Sequence, residues 1–595
     1  MIGNILRFKT AVALLLLGLL TLLAGIGQKT FWAPPETVTA AAPSDAASTP
    51  LTVFDEKILT LHDGTVTINV KGEGSFMLAA GRPDDVDAWV GATAHNTVSG
   101  VSEDGKELQL THADGEATAP SPAGSDLWVG TENASGELKY NWAPPADGDW
   151  ALLLATDGTK PAPGSITMTF PNDTSTPWAI PLMVVGGLLM LAGVALLVLK
   201  PKSGTRSKTG NDGGAPATDT KGTAPRDAET PAAAPTSTAP TNTAQQLAAA
   251  PAAAAQRLRR SGAVVAVLTA TAVAGSGVAA QASQTPAPSP STSSAAAEQA
   301  PASPVLVDAQ FRRILEQVAN GVDAADAAKD AGKLGPRVGG PEFEVRANNY
   351  KIRSQVGSYE PRMPVRATKL LTTVVTEQRS WPRTVMAVTQ GEGNVVPQLL
   401  TLTQVSAREN YKLVHTTPLQ PGTTFPSIAR GGTATLASTD KEGLAYSGEE
   451  ALSALGDRLN SADSAFKDKL TEGASSPYIA DTLAYQADVV NSGVNGNFTF
   501  AHKLDPGSVV VFRTADGGAL ALGRLSFAFD GTPKAAGDKL TIGDDAAALA
   551  GGKETSTGMW LNFAESVAVY IPPAGSQDPM KLVAATRGLV GASFK

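Results

Sequence analysis

The chain of 595 residues, 42% hydrophobic and 17% charged, is too long for one small module. With 59 glycines, 41 prolines and only 5% aromatics, it is also too poor in core formers to fold along its whole length. The lack of cysteine excludes disulfides, thiolate metal sites and cysteine nucleophiles, and a formal charge of -9 with no clustered basic surface excludes a nucleic-acid partner.

In chain order, residues 1–10 carry Arg7 and Lys9 ahead of AVALLLLGLLTLLAGIG, which predicts a transmembrane segment over 11–27 with a cytoplasmic N-terminus. Residues 50–172 alternate in short runs such as TVTINVK, KELQLTH and SITMTF, with Asp-Gly at 63–64, 104–105, 114–115 and 157–158. That spacing predicts antiparallel hairpins in an all-β sandwich. Within it, DAWVGA and DLWVG read as strands. Asp84, Asp85 and Asp87 form a carboxylate cluster that is a weak calcium candidate, since a loop of acids is ordinarily a solvated turn and lacks the spacing of an EF-hand. Trp89, Trp128 and Trp150 sit in apolar patterns that predict inward packing, whereas Trp142 is the candidate for stacking on a sugar ring.

WAIPLMVVGGLLMLAGVALLVL, residues 178–199, runs without a charge and predicts a second transmembrane helix. The stretch 200–260 is dominated by Ala, Pro, Thr and Ser and predicts a disordered cytoplasmic linker with basic ends. GAVVAVLTATAVAGSGVAAQA, residues 262–282, follows Arg257, Arg259 and Arg260 and reads either as a third span or as a signal-like segment that is cleaved. A Pro/Ser/Ala stalk over 283–303 follows. Basic flanks held inside then place both large regions outside the membrane in a multi-pass arrangement, with the lipid bilayer as one partner.

The last region reads as two α+β domains, 304–440 and 447–595, each with helices before antiparallel strands. Phe311, Leu315, Val318 and Val322 mark one helical face. Ser447 to Glu450 forms a capping box opening a helix of about 25 residues, lined by Leu452, Leu455, Leu459, Phe466 and Leu470. No HExxH, HxH or GxSxG pattern exists, so neither a metal nor a cofactor is expected. Ser464-Ala-Phe-Lys467 matches SxxK, but no companion motif shares its site. The carboxylate singled out is Glu565, in the alternating strand MWLNFAESVAVYI. If it faces inward against an apolar wall, burial should raise its pKa into a range useful for acid–base chemistry; an outward-facing glutamate is the plainer alternative.

Helices followed by long strands, here twice, resemble the cone-shaped NTF2-like fold. The Ala/Pro-rich linkers, the run RLRRSGAVVAVL and the absence of cysteine resemble uncharacterised actinobacterial envelope proteins with a lipoprotein-like C-terminal region. That resemblance implies location and architecture without an activity, and the missing lipobox cysteine removes the lipid anchor. The expectation is a non-enzymatic cell-envelope membrane protein that displays extracytoplasmic domains for binding or assembly, with an envelope protein or cell-wall glycan as partner. The alternatives are an envelope hydrolase or glycan-processing enzyme using a C-terminal pocket, and a glycan-binding module.

Overall fold

A computed structural model describes residues 2–146, 148–199, 304–429, 432–475 and 477–595. The linker 200–260, the apolar segment 262–282 and the stalk 283–303 lie outside the described residues.

Helix α1 (Ile2–Lys29) is long and apolar enough to cross a membrane, and so is the later helix over Ala179–Val198. Small residues repeat every seven positions on both, Ala11, Gly18 and Gly25 on one and Ala179, Gly186 and Gly193 on the other. These stripes meet: a Cβ on Gly186 would lie 2.5 Å from the Leu22 nitrogen, and one on Gly18 2.8 Å from the Gly186 oxygen. Close backbone approach replaces burial as the source of attraction, while Leu16, Leu20, Leu188 and Leu191 face outward. An apolar exterior over a small-residue seam suits a lipid surround.

Between these helices lie β1 (Thr37–Ala41), β2 (Leu51–Phe54), α2 (Glu56–Leu59), β3 (Val66–Gly81), α3 (Pro83–Val90), β4 (His95–Val101), β5 (Leu108–Ala113), β6 (Gly130–Trp142), β7 (Ala151–Ala155) and β8 (Ser165–Pro171). The long hairpin partners β3 and β6 pair along their length, but the register shifts between Lys71 and Ser75, where Gly74 takes φ +74°. Before the shift, β3 pairs with β8 and through it β1; after it, β3 pairs with β7, then β2, β4 and β5. One hydrogen-bonded sheet therefore folds over on itself, enclosing Ile68, Val70, Phe76, Leu78, Leu152, Leu154, Met168 and Phe170. The pair β2–β4 is parallel, unlike the hairpin pattern read from the sequence.

Two expected strands are not strands. Pro83 opens α3 with Asp84 and Asp85 in its first turn, a helix-start pattern that outweighs the alternation of DAWVGA. Leu127 and Trp128 are buried from a loop, where the indole Nε1 donates to the Pro122 carbonyl at 2.7 Å.

The Ala179–Val198 helix is α4. The C-terminal region follows as α5 (Asp308–Ala328), α6 (Gly340–Gln355), β9 (Lys369–Val374), β10 (Arg383–Gln390), β11 (Gln398–Gln404), β12 (Lys412–Pro418), β13 (Thr435–Leu436), α7 (Gly448–Asn460), β14 (Leu470–Thr471), α8 (Tyr478–Ser492), β15 (Gly496–Arg513), β16 (Ala519–Pro533), β17 (Leu540–Thr541), α9 (Asp544–Ala550), β18 (Glu554–Thr555), β19 (Met559–Ile571) and β20 (Met580–Phe594). One sheet runs β12-β11-β10-β9 and another β13-β15-β16-β19-β20-β14. Strand parity then builds four layers. Val385 and Ala387 of β10 face α5, while Met386 and Val388 face the second sheet. Leu520 and Ala568 face the first sheet, while Ala521 and Val569 face α7. Alternating hydrophobic and polar strands would suit a sheet with one wet face; β10 is apolar on both faces because both are covered.

The capping box at Ser447 and Glu450 forms, but α7 ends at Asn460 instead of continuing to Leu470. Asn460 spends its side chain on the backbone of His502, accepting from its nitrogen at 2.7 Å and donating to its oxygen at 3.1 Å. The helix thus ends where its last side chain is tied to a distant strand and Ser461 turns extended, although the apolar spacing runs on.

The folded-over sheet and the C-terminal layers share a charged, buried seam. Arg383 pairs with Asp85 at 2.5 Å, both about 1% exposed. Arg337 pairs with Asp126 at 2.6 Å, and the Tyr411 nitrogen donates to the same carboxylate at 2.8 Å. Gln310 donates to the Asp126 and Leu127 carbonyls. Arg408 caps the end of α3, donating to the Trp89 and Val90 carbonyls at 2.8 Å each, where the helix dipole is negative.

Candidate functional site

Glu565 lies on β19 directly opposite Leu525 of β16 and Arg587 of β20, so one sheet face carries all three. That face turns inward toward α8, and Glu565 is 0% exposed. The same parity brings His502 of β15 beside Phe527, the two rings stacked at 4.2 Å.

The Glu565 carboxylate is fully engaged. Its Oε2 accepts from His502 Nδ1 at 2.7 Å. Its Oε1 accepts from the Tyr478 hydroxyl at 2.7 Å and from Arg587 Nε and Nη2 at 2.9 and 2.7 Å. Gln486 Nε2 donates to the Leu459 carbonyl and lies 2.9 Å from His502 Nε2, so this ring nitrogen accepts and the imidazole proton sits on Nδ1, facing Glu565. The Arg587 guanidinium also stacks over Phe527, 4.6 Å from its centroid, and donates to Thr482 Oγ1 at 3.0 Å.

This environment reverses the expected titration. Burial pushes the Glu565 carboxyl upward, but the hydrogen bond from His502, the Arg587 guanidinium and the Tyr478 hydroxyl outweigh it and hold the group below its ordinary value. Glu565 is therefore an ionised anchor, not an acid poised near neutrality. Burial and the neighbouring carboxylate push the Tyr478 hydroxyl far above the usual phenol range. With both oxygens of Glu565 and both nitrogens of His502 hydrogen-bonded and Glu565 0% exposed, the cluster orients Arg587 and presents no accessible carboxylate to a substrate.

Of the cluster, Arg587 lines a cavity. That cavity, about 150 Å³, is lined also by Val345, Arg362, Asp545 and Phe563. It approaches α6 so closely because residue 588 is glycine; a Cβ there would fall 2.4 Å from Val345. A larger cavity of about 560 Å³ shares Asn349, Tyr359 and Arg362 with it, between α6, the loop 359–364 and the edges of β11, β12 and β20.

The other residues singled out in the sequence are placed elsewhere. Asp85 is spent on Arg383, while Asp84 and Asp87 point outward from α3, so the three carboxylates do not converge. No cluster of potential metal ligands occurs among the described residues. Trp142 is 6% exposed and packs in the folded sheet's interior beside Tyr140, which leaves no open face for a sugar. Ser464 is held by Asp457 through its hydroxyl. Sequence reasoning passed over His502, although its spacing is legible: Phe498, Phe500 and His502 follow one another by two along β15, which puts the imidazole on an aromatic face.

No curated protein and no solved structure matches the chain. Residues 302–593, which span the four C-terminal layers, match the family model DUF8094, a domain of unknown function.

Proposed function

We propose that the protein is a non-enzymatic, membrane-anchored binding protein of the cell envelope, in which the region 36–172 and the region 304–595 work as one body outside the membrane. The observation that carries this reading is the seam of buried ion pairs, Asp85 with Arg383 and Asp126 with Arg337. Buried partners must fold in the same compartment. Helices α1 and α4 flank the first region, so a pair of spans leaves that region on one side and the chain after Val198 on the other. For the C-terminal layers to meet the seam, the chain must cross again, and 262–282 is the remaining charge-free run in the sequence able to do so. Basic residues after α4 and before 262 orient the loop inward.

The closed hydrogen-bond inventory around Glu565 favours a structural role for that carboxylate over the hydrolase alternative. We also read the two C-terminal halves as NTF2-like units packed sheet to sheet, α5 and α6 on one and α7 and α8 on the other, within an actinobacterial envelope protein.

The chain has no cysteine, which gives a clean test. Single cysteines at the exposed positions Glu73 and Lys351 should both react with a membrane-impermeant maleimide added to intact spheroplasts. Labelling of one and protection of the other would overturn the shared compartment.

A further inference from the structure

The loop after α6 reads Tyr-Glu-Pro-Arg-Met-Pro over residues 359–364, and the prolines on either side of Arg362 restrict its backbone. Arg346 and Asn349, three apart on α6, share a face toward this loop. Opposite them, Gln398 of β11 pairs with Pro418 and Leu400 with Thr416, so Gln398 and Thr416 project to the same side of the first sheet. These groups, with Thr586 of β20, line the cavity of about 560 Å³.

Of the eleven buried side-chain polar atoms without a hydrogen-bond partner among the described residues, four belong to residues that line this cavity. Arg346 is neutralised by Glu342 at 2.6 Å and Asp326 at 2.7 Å. Arg362 has no such partner among the described residues; it makes only long hydrogen bonds, 3.3 Å to the Arg587 carbonyl and 3.4 Å to Thr586 Oγ1. Burial, with the Arg346 guanidinium nearby, pulls this guanidinium below its ordinary value against the attraction of Glu342 and Asp326, neither of which pairs with it directly. Gln398 is 0% exposed, yet neither atom of its amide is bonded. Asn349 donates to the Glu360 carbonyl at 2.9 Å, but its Oδ1 is unpartnered, and so is Thr416 Oγ1. Such groups are ordinarily satisfied when buried.

We propose that this cavity is a binding site for a small hydroxylated organic anion of the uronic-acid class, with its carboxylate on Arg362 and its hydroxyls on Gln398, Asn349 and Thr416. The polarity of the unbonded atoms selects that chemistry. Asn349 Oδ1 and Gln398 Oε1 require donors, whereas Gln398 Nε2 requires an acceptor. A sugar hydroxyl supplies both, whereas acetate only accepts and leaves the two oxygens unpaired, and hydrogen phosphate has too few O–H groups and no extended ring to reach all three side chains. Tyr359, Pro361 and Pro418 add apolar surfaces suited to the C–H face of a pyranose. Glu360 also borders the cavity, but its side chain is solvent-exposed and its charge is screened there. The size falls within the range of small-molecule sites. The inference rests on the binding role proposed above only for the compartment in which ligand is met.

The test uses the full chain in detergent, where topology has no influence, so its failure is distinct from failure of the maleimide experiment. Glucuronate should raise the melting temperature and titrate calorimetrically, with glucose and inorganic phosphate at least about tenfold weaker. Arg362→Gln should remove glucuronate binding. Val395→Trp, at a rim position 88% exposed, should block the mouth without entering the core, which keeps the test open if the arginine variant folds poorly. No response to glucuronate, unchanged binding in both variants, or phosphate binding as tightly as glucuronate would overturn the proposal.

Discussion

Two arginines that line the same cavity are built on opposite terms. Arg587 is matched by a buried carboxylate, a hydroxyl and an aromatic face, and the carboxylate is matched in turn by His502 and Tyr478. Arg362, a few ångströms along the fold, is surrounded by amides and hydroxyls that lack partners. A saturated network holds a structure together and has little capacity left for a ligand; an undersatisfied one costs stability and retains that capacity.

The sharpest way to break this comparison is to remove the centre of the saturated network. Glu565→Ala strands Arg587, His502 and Tyr478 at once and should lower stability by about 3–5 kcal/mol, measured by denaturant unfolding of the full chain in detergent. Loss below about 1 kcal/mol would mean that the network is not saturated by protein groups. The seam should respond next: Arg383→Met leaves Asp85 buried beside an apolar side chain, with an expected cost of about 3 kcal/mol. Its distinctive readout is faster hydrogen exchange on both sides of the seam, in α3 and in β10. A purely local defect would spare α3.

His415 supplies a pH-dependent comparison. It is buried on β12 with Nδ1 bonded to Ser566 Oγ at 2.7 Å, and burial lowers its pKa from 6.5 to about 4. The unfolded chain therefore binds the extra proton first. Stability from this group is fully present above pH 6.5 and falls as pH drops toward about 4, by at most about 1.4 kcal/mol per pH unit. His415→Gln should flatten that part of the stability profile, and an unchanged slope would assign it to other groups.

The smallest effect is expected at the undersatisfied site. Arg362→Met should change stability by less than about 1 kcal/mol, or raise it, because no ion pair is lost with this half-buried charge. A loss comparable to that of Glu565→Ala would erase the distinction between the two arginines.

Much of this was legible because it is written at short range. The faces of α5 and of the first half of α7 follow from spacings of three and four, the capping box from four consecutive residues, and the shared face of Glu565 and Phe563 from a period of two. What failed was also local in appearance. DAWVGA alternates like a strand, but Pro83 and two aspartates start a helix; the apolar spacing after Leu459 suggests more helix, but Asn460 is claimed by His502.

The chain by itself determined two apolar helices, a β-rich region between them and helices followed by long strands, since hydrophobic period and turn residues act over a few positions. Only the tertiary structure decided that Glu565 faces inward, that its pKa falls where burial alone would raise it, and that Asp85 meets an arginine 298 residues away. Parity assigns residues to faces but cannot say which face is covered, and a carboxylate's titration depends on partners brought by other strands and helices. Arg362 carries no sequence mark of its isolation, because lacking a partner is a property of everything packed around it.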